Sequence, residues 1–541
     1  MAVLFKLSLL GLLSFLSANA AVVTQTFHLT DQTISPDGFK RPAALVNGQF
    51  PGPLLKANKG DTVFVNVVNS LNNPNIRKST SIHWHGITQP RNAYNDGPSF
   101  VTQCPIAPNH TYTYQLVLGD QAGTFWYHSH LSTQYVDGLR GPIVIYDPND
   151  PHKSLYDIDN EATVITLADW YHTTAFIATN EWINQGANEP VPDSGLINGA
   201  GRSGNGPAVP LSRINVSRGS RYRFRLISIS AEGAFDFAID SHKMTIIEAD
   251  GVNTVPYTVD SINIHPGQRY SVVVNANQPM DNYWIRATQT DRGNLTLSTN
   301  PDFNGTNVYA VLHYAGASNN EPTTPQPGPT LPAGLVPFEE FNMQPLVNPA
   351  PPGGSGPADM TFNFTFEPVT GTGNVWTING IQYQPPKLPT LLKILSGAST
   401  DADFGPNENT FVLPFNSTIE VIFNPAGLAG SGHPFHLHGH TFSVIQSGDG
   451  GPPNFVNPPR RDVVASGAGT PDSPATRIRF RTDNPGPWFL HCHIDWHLEA
   501  GLAVVFGEDP SGIRSGPQSV QPNAAWNQLC STYNSLQPSD Q

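Results

Sequence analysis

The sequence predicts an all-β fold made of repeated Greek-key sandwiches, on three observations. Only 13% of the 541 residues are charged, while glycine (48) and proline (51) are abundant, which suits short strands joined by many turns. Brief runs of β-branched and aromatic residues alternate with clusters of Asn, Gly and Pro. Two blocks far apart in the chain also carry the same motifs in the same order, the mark of an internal repeat. A chain of this length is expected to form about three domains.

Residues 1–21 stand apart. Lys6 precedes the apolar run Leu7–Leu16, and Ala18-Asn19-Ala20 supplies a small-residue cleavage site, so the segment reads as a secretory signal peptide. A membrane anchor would need about 20 apolar residues, more than this run holds. No later stretch has membrane-spanning character, and a soluble, secreted, extracellular protein is expected. Six sequons, at Asn109, Asn215, Asn294, Asn304, Asn363 and Asn416, fit N-glycosylated surface loops. With Lys+Arg 28 against Asp+Glu 42, the net charge of -14 argues against nucleic acid or an anionic membrane surface as partner.

The first block, 22–150, reads as strands over Val23–Leu29, Thr62–Val68, His110–Leu118 and Pro142–Tyr146, separated by turns such as Asn47-Gly48 and Asn58–Gly60. The second, 151–320, gives strands at Thr163–Leu167, Tyr222–Ile229, Ser271–Val274 and Tyr283–Ala287. The Pro/Gly-rich passage 321–356 reads as a linker wrapped over the surface, opening a third block that runs to residue 541 with a C-terminal tail.

The first and third blocks share their chemistry. His83-Trp84-His85-Gly86 matches His436-Leu437-His438-Gly439, and Gly123, Trp126, His128 and His130 match Gly486, Trp488, His491 and His493. Eight residues after His130 and His493 come Gly138-Leu139 and Gly501-Leu502, each opening an apolar strand. The blocks differ at Ser129, which stands where Cys492 does, and at Thr80, which stands where His433 does. Random placement of the 18 histidines predicts about 0.6 pairs at spacing two, and the chain has five, so the pairs are not accidental.

The decisive stretch is His491–Phe506, HCHIDWHLEAGLAVVF. Extended backbone alternates faces, so His491 and His493 point one way and Cys492 the other. One strand thus serves two metal sites, bridged by the cysteine's own backbone. A thiolate beside imidazoles suits blue copper or zinc, and a second histidine cluster on the opposite face favours copper. His433, Cys492 and His497 are the expected thiolate-site ligands, and His440 is expected to be structural.

These segments (HWHG, HSH, HPFHLHGH and HCHIDWHLEAGLAVVF) resemble the four signatures of the multicopper oxidases, and in detail those of secreted basidiomycete-type laccases. The resemblance spans nearly the whole mature chain. It implies three cupredoxin-like Greek-key sandwich or barrel domains and four copper ions. The type-1 copper would take His433, Cys492 and His497. The type-2 copper would take His83 and His436. The type-3 pair would take His85, His128, His130, His438, His491 and His493. The implied activity removes single electrons from phenols and aromatic amines and reduces O2 to water, as in the degradation of lignin or other aromatic compounds, by a protein monomeric by default.

Leu502, ten residues after Cys492, falls in the axial place that a weak methionine ligand often occupies in blue sites, and a leucine there raises the potential. Glu232 sits where such laccases keep a substrate-contacting carboxylate, with a solvated surface residue as the other reading, and the resemblance gives Asp96 and Asp250 as proton relays to the trinuclear cluster, with structural hydrogen bonding as the equal alternative. Asp495 lies in the signature without an assigned role. Fungal laccases commonly have a second disulfide at the positions of Val136 and Ala231, which leaves the loop carrying Glu232 without that brace. If Cys492 is a thiolate ligand, Cys104 and Cys530 remain to pair, tying the tail to the first domain. Two other readings are another multicopper oxidase (ascorbate oxidase or ferroxidase) and a non-enzymatic copper carrier. Leu502 argues against the methionine-ligated ascorbate type, and eight paired histidines beside a thiolate argue against the carrier.

Overall fold

The computed structural model describes residues 20–204, 206–290, 308–325, 335–347, 350–369, 374–425, 432–467 and 474–541. All but the last two residues of the expected signal peptide lie outside these segments, as do the sequons at Asn294 and Asn304. The described residues form six β-sheets that pair into three cupredoxin domains. Strand Thr62–Asn69 shows why: its sequence TVFVNVVN alternates, and Val63, Val65 and Val67 are buried while the residues between them are half-exposed. Strands Gly123–Ser129 and Gly486–Cys492 are instead buried at every position, on both faces of their sheets.

The repeat is topological as well as local. In the first domain one sheet runs, neighbour to neighbour, Leu55–Asn58, Arg140–Tyr146, Gly123–Ser129, Ile82–His85. In the third domain the corresponding sheet runs Thr410–Leu413, Ala503–Glu508, Gly486–Cys492, Pro434–Leu437, with Val463–Ala465 added at the edge. The first pair is parallel and the rest antiparallel in both. His83 faces His128 across one ladder, and His436 faces His491 across the other. This register differs from the sequence alignment at one place: Trp126 corresponds to Phe489, one residue after Trp488. Each of these rings packs on the histidine two residues later, Trp126 on His128 and Phe489 on His491.

The largest apolar cluster runs continuously from the first domain into the third, while the second domain has a core of its own. Described parts of the linker lie over both the second and the third domain: Leu346 N–H donates to Asn253 O, Met343 joins the second core, and Gly354 O accepts from Arg479 Nη1. Near the C-terminus, Asn523 caps helix Ala524–Asn534 by accepting from Trp526 N–H. That helix buries Trp526, whose indole donates to Thr102 O, and Cys530 is disulfide-bonded to Cys104. The tail is thereby fastened to the first domain. Among the described residues no helix is long and apolar enough to cross a membrane.

Candidate metal centres

One group of donors lies within the third domain, and a second lies where the first and third domains face each other. Strand Gly486–Cys492 ends at the cysteine, and helix Asp495–Glu499 then turns His497 back toward it. Cys492 Sγ lies 3.6 Å from His433 Nδ1 and 3.7 Å from His497 Nδ1, and the two nitrogens are 3.1 Å apart. All three residues are buried, and Cys492 takes no part in a disulfide. One soft sulfur and two imidazole nitrogens converging in an apolar site are the donor set of a blue-copper centre. Leu502 is fully buried and tied to both sides of this group, its N–H donating to His497 O and its carbonyl accepting from Cys492 N–H.

The other eight histidines form the second group. His83 and His436 approach through their Nε2 atoms at 3.4 Å, His438 and His491 at 3.1 Å, and His130 and His491 at 3.4 Å. His493 Nε2 lies 3.2 Å from His85 Nδ1. The outer nitrogens explain the orientation. His83 Nδ1 donates to Asp96 O, His128 Nδ1 to Ser129 O, His436 Nδ1 to Asp462 O, and His491 Nδ1 to Cys492 O, at 2.8–2.9 Å. With Nδ1 holding the proton, each Nε2 lone pair points inward, as metal ligation requires. His128 Nε2 is buried with no hydrogen-bond partner among the described residues, a nitrogen placed for a ligand and not for the protein. The donor set fits a cluster of copper ions.

Similarity to known proteins agrees with this chemistry. Models of the multicopper oxidase family match residues 28–150, 161–317 and 383–512. The chain is 53% identical over 510 residues to Laccase-4 of Thanatephorus cucumeris, covering 93% of each chain. It is 50% identical over 526 residues to Laccase-2 of Pleurotus ostreatus, covering 95% of this chain and 93% of the relative. Among solved structures, the laccase from Botrytis aclada matches with a TM-score of 0.80 at 33% identity, covering 96% of this chain and 93% of that one. Fet3p, a multicopper oxidase that functions in iron import, matches at 0.83 with 30% identity and 95% of each chain.

The chain belongs to the multicopper oxidase family.

Its chemistry is that of a laccase-type oxidoreductase, and the two donor groups are those of a type-1 copper and of a trinuclear type-2/type-3 cluster. Around the cluster the carboxylates are distributed unevenly. Asp96 is fully buried and accepts from His438 Nδ1 at 2.8 Å. Asp250 is bonded to arginines: Arg461 Nε and the Arg269 N–H donate to its carboxylate. Arg269 then pairs with Asp462, which lies 3.2 Å from His85 Nε2. Asp462 is thus a cluster carboxylate that sequence reasoning missed, since nothing in its spacing from the histidine motifs marks it. Burial raises its pKa to about 6, with Arg269 pulling the other way. His440 lies outside both groups and pairs with buried Glu508 at 2.7 Å. Asp495 is buried in a void lined by His128, His130, His491 and Cys492, and burial holds its carboxyl well above the ordinary range.

The second domain also brings backbone against the oxidase cluster at Gly267. Gly267 sits at φ +83°, where a Cβ would stand 2.9 Å from His493 Cδ2 and 3.0 Å from His85 Cε1, so only glycine closes this wall without pushing the rings. The repeat also has a third term. Adding five residues to Ser129, as five separate Cys492 from His497, gives Gln134. Its Oε1 accepts from Thr80 Oγ1 at 2.7 Å and from the Ser129 hydroxyl. The first domain therefore fills its copy of the type-1 site with three hydrogen-bonded oxygen groups.

On the donor side, Trp376 packs on His497 with ring centroids 4.4 Å apart. Trp496 Nε1 donates to Tyr171 Oη, whose hydroxyl lies 3.3 Å from Glu232 Oε2. The loop carrying Glu232 is held by Asp169, which accepts from the N–H groups of Ala231, Glu232 and Gly233 at 2.8, 2.7 and 3.1 Å. Ala231 and Val136 are both fully buried. A buried carboxylate with three backbone donors braces the loop where the resemblance would place a disulfide.

Burial, reinforced by neighbouring rings, pushes His85, His128, His130, His436, His438 and His493 well below the usual histidine pKa, and burial brings His491 to about 3. Histidine in an unfolded chain titrates near ~6.5. Below that pH the unfolded chain takes up protons that the folded chain refuses, so stability falls as pH drops from ~6.5 toward the folded values, by about 1.4 kcal/mol per ring per pH unit. Calorimetry of copper-free protein should show the melting temperature falling between about pH 7 and 4. The slope should be shallower in a His128→Gln/His130→Gln variant, and equal slopes would show that these rings are not held neutral.

Proposed function

We propose that the protein is a secreted laccase that takes single electrons from phenols and aromatic amines at the Cys492 site and consumes O2 at the histidine cluster. The observation that carries this reading is the placement of consecutive residues. Cys492 belongs to one donor group, His491 and His493 on either side belong to the other, and His491 Nδ1 donates to the carbonyl of Cys492. The path from Sγ through the cysteine backbone is the shortest covalent link between the two groups. Bound copper supplies a one-electron acceptor at the first site and the four-electron reduction of O2 to water at the second.

The chain's own residues set the conditions for that chemistry. His433, Cys492 and His497 would hold the type-1 copper, and Leu502, buried between the Cys492 and His497 backbones, would offer it no further donor and so favour the reduced ion. His83 and His436 hold the type-2 copper, and His85, His128, His493 with His130, His438, His491 hold the type-3 pair. Glu232 accepts the phenolic proton as the electron leaves, the Tyr171 hydroxyl steadying its carboxylate. Asp96 delivers protons at His438, and Asp250 acts through Arg269 and Asp462. Exposed asparagines at Asn109, Asn215, Asn363 and Asn416 support glycosylation during export, and a single chain contains every residue the reaction needs.

Cys492→Ser should fold yet lose both the blue absorption band and phenol-dependent oxygen uptake, measured by visible spectroscopy and an oxygen electrode. Retention of both would remove Cys492 from the reaction. Leu502→Met should lower the type-1 potential in a redox titration, and an unmoved potential would end the axial assignment. Glu232→Ala should cut kcat/KM for a phenol by ~100-fold or more, the usual contribution of a proton acceptor, and flatten its pH profile. Unchanged kinetics would make Glu232 an ordinary surface residue.

A further inference from the structure

The outward edge of His497 is not open. Its Nδ1 faces the cysteine sulfur, and its Nε2 lies 3.0 Å from Glu189 Oε1. The imidazole side chain is 0% exposed, while the glutamate is 24% exposed, so the carboxylate is the outer layer over the ring that receives electrons. With Nδ1 turned to the metal position, Nε2 carries the proton and donates to the carboxylate.

Glu189 is held there by the loop that bears it. Helix Ala175–Thr179 and the turn Asn180–Asn184 bury Trp182, whose ring meets Trp496 edge-on. Asn374 Nδ2 donates to Trp182 O at 2.7 Å and to Ala187 O at 2.9 Å, and Ala187 N–H returns to Glu181 O. Beyond the glutamate, Pro190 and Pro192 restrict the backbone, and Asp193 N–H is bonded to Trp170 O. Both ends of the segment are therefore anchored within two to four residues of the carboxylate. Glu232, reached through Trp496 and Tyr171, adds a second carboxylate on the donor side.

We propose that Glu189 is a specificity-determining residue of the donor site, favouring positively charged aromatic donors over anionic ones. The inference rests on the laccase reading and names the charge class of its substrates. A cationic group on the donor gains from the carboxylate over His497, and an anionic group meets repulsion at the one edge it must approach. The hydrogen bond also makes the imidazole a better electron donor toward its metal, so the same residue holds the type-1 potential down.

The test uses copper-loaded enzyme and three phenols that differ only in a group on an ethyl spacer: trimethylammonium, hydrogen or sulfonate. In Glu189→Gln, kcat/KM for the cationic phenol should fall at least about threefold relative to the neutral phenol and that for the anionic phenol should rise as much, the size expected for unit charges about 7 Å apart at the dielectric of bulk water. The neutral phenol reports whatever change comes from the potential alone, and both charged donors are read relative to it. Added salt should narrow the cation–anion gap in the native enzyme and have little effect in the variant. The type-1 potential, read by redox titration, should rise. A cation-to-anion ratio unmoved in both Glu189→Gln and Glu189→Lys overturns the inference, and a potential that rises while the ratio stays fixed reduces Glu189 to a tuning role and overturns it equally. Native enzyme that oxidises none of the three phenols overturns the laccase reading, and this inference with it.

Discussion

The structure depends on the alternation of side chains along one strand. Because neighbours on a β-strand face opposite ways, His491 and Cys492 enter different sites within a single residue step, and His493, just past the strand end, returns to the first. No flexible connection is needed between a place that oxidises an organic donor and a place that handles O2. The same alternation fixes the domain arrangement. A strand can offer only one face of imidazoles, so a cluster of eight needs four such strands, and the chain supplies them as two ladders in equivalent register, His83 opposite His128 and His436 opposite His491.

Burying so many imidazoles is costly unless they remain neutral and each outer N–H has an acceptor. The backbone meets that demand for four of the eight rings. The carbonyls of Asp96, Ser129, Asp462 and Cys492 each accept from a ring, which also selects the tautomer that aims Nε2 inward. Among the described residues, carboxylates enter through Asp96, at His438 and His83, and through Asp462, near His85 and His436, and Asp462 is in turn paired with Arg269. A fully ionised ring of acids would draw protons onto the imidazoles and compete with metal. Backbone dipoles orient the rings without that effect.

Much of this was legible in the chain. Composition and turn spacing indicated strands, and those expected at Thr62–Val68 and Pro142–Tyr146 fall within Thr62–Asn69 and Arg140–Tyr146. The histidine pairs could be read because metal ligation imposes a spacing, and the Cys104–Cys530 bond because so few cysteines left one pairing. Asp462, Trp376 and Glu189 could not be read, because each reaches its site across tertiary contacts that no local period records. Glu189 lies 308 residues from the imidazole it covers, on a loop whose sequence looks like ordinary surface. Gln134 was in principle legible, since the spacing that relates Cys492 to His497 points to it, but an amide in that place draws no notice until its two hydroxyl partners are seen.

That amide bears on why two similar domains hold one thiolate site between them. Thr80, Ser129 and Gln134 occupy the positions of His433, Cys492 and His497, and the glutamine oxygen accepts from both hydroxyls in a buried setting. Each such bond contributes on the order of 1 kcal/mol and leaves no polar group wanting a ligand. The first domain is therefore complete without metal at that place, and its hard oxygen donors offer little to copper. It spends its histidines wholly on the shared cluster. The third domain keeps a thiol and two imidazoles at the equivalent point, and so one copy of the fold receives electrons while both copies build the place where they are used.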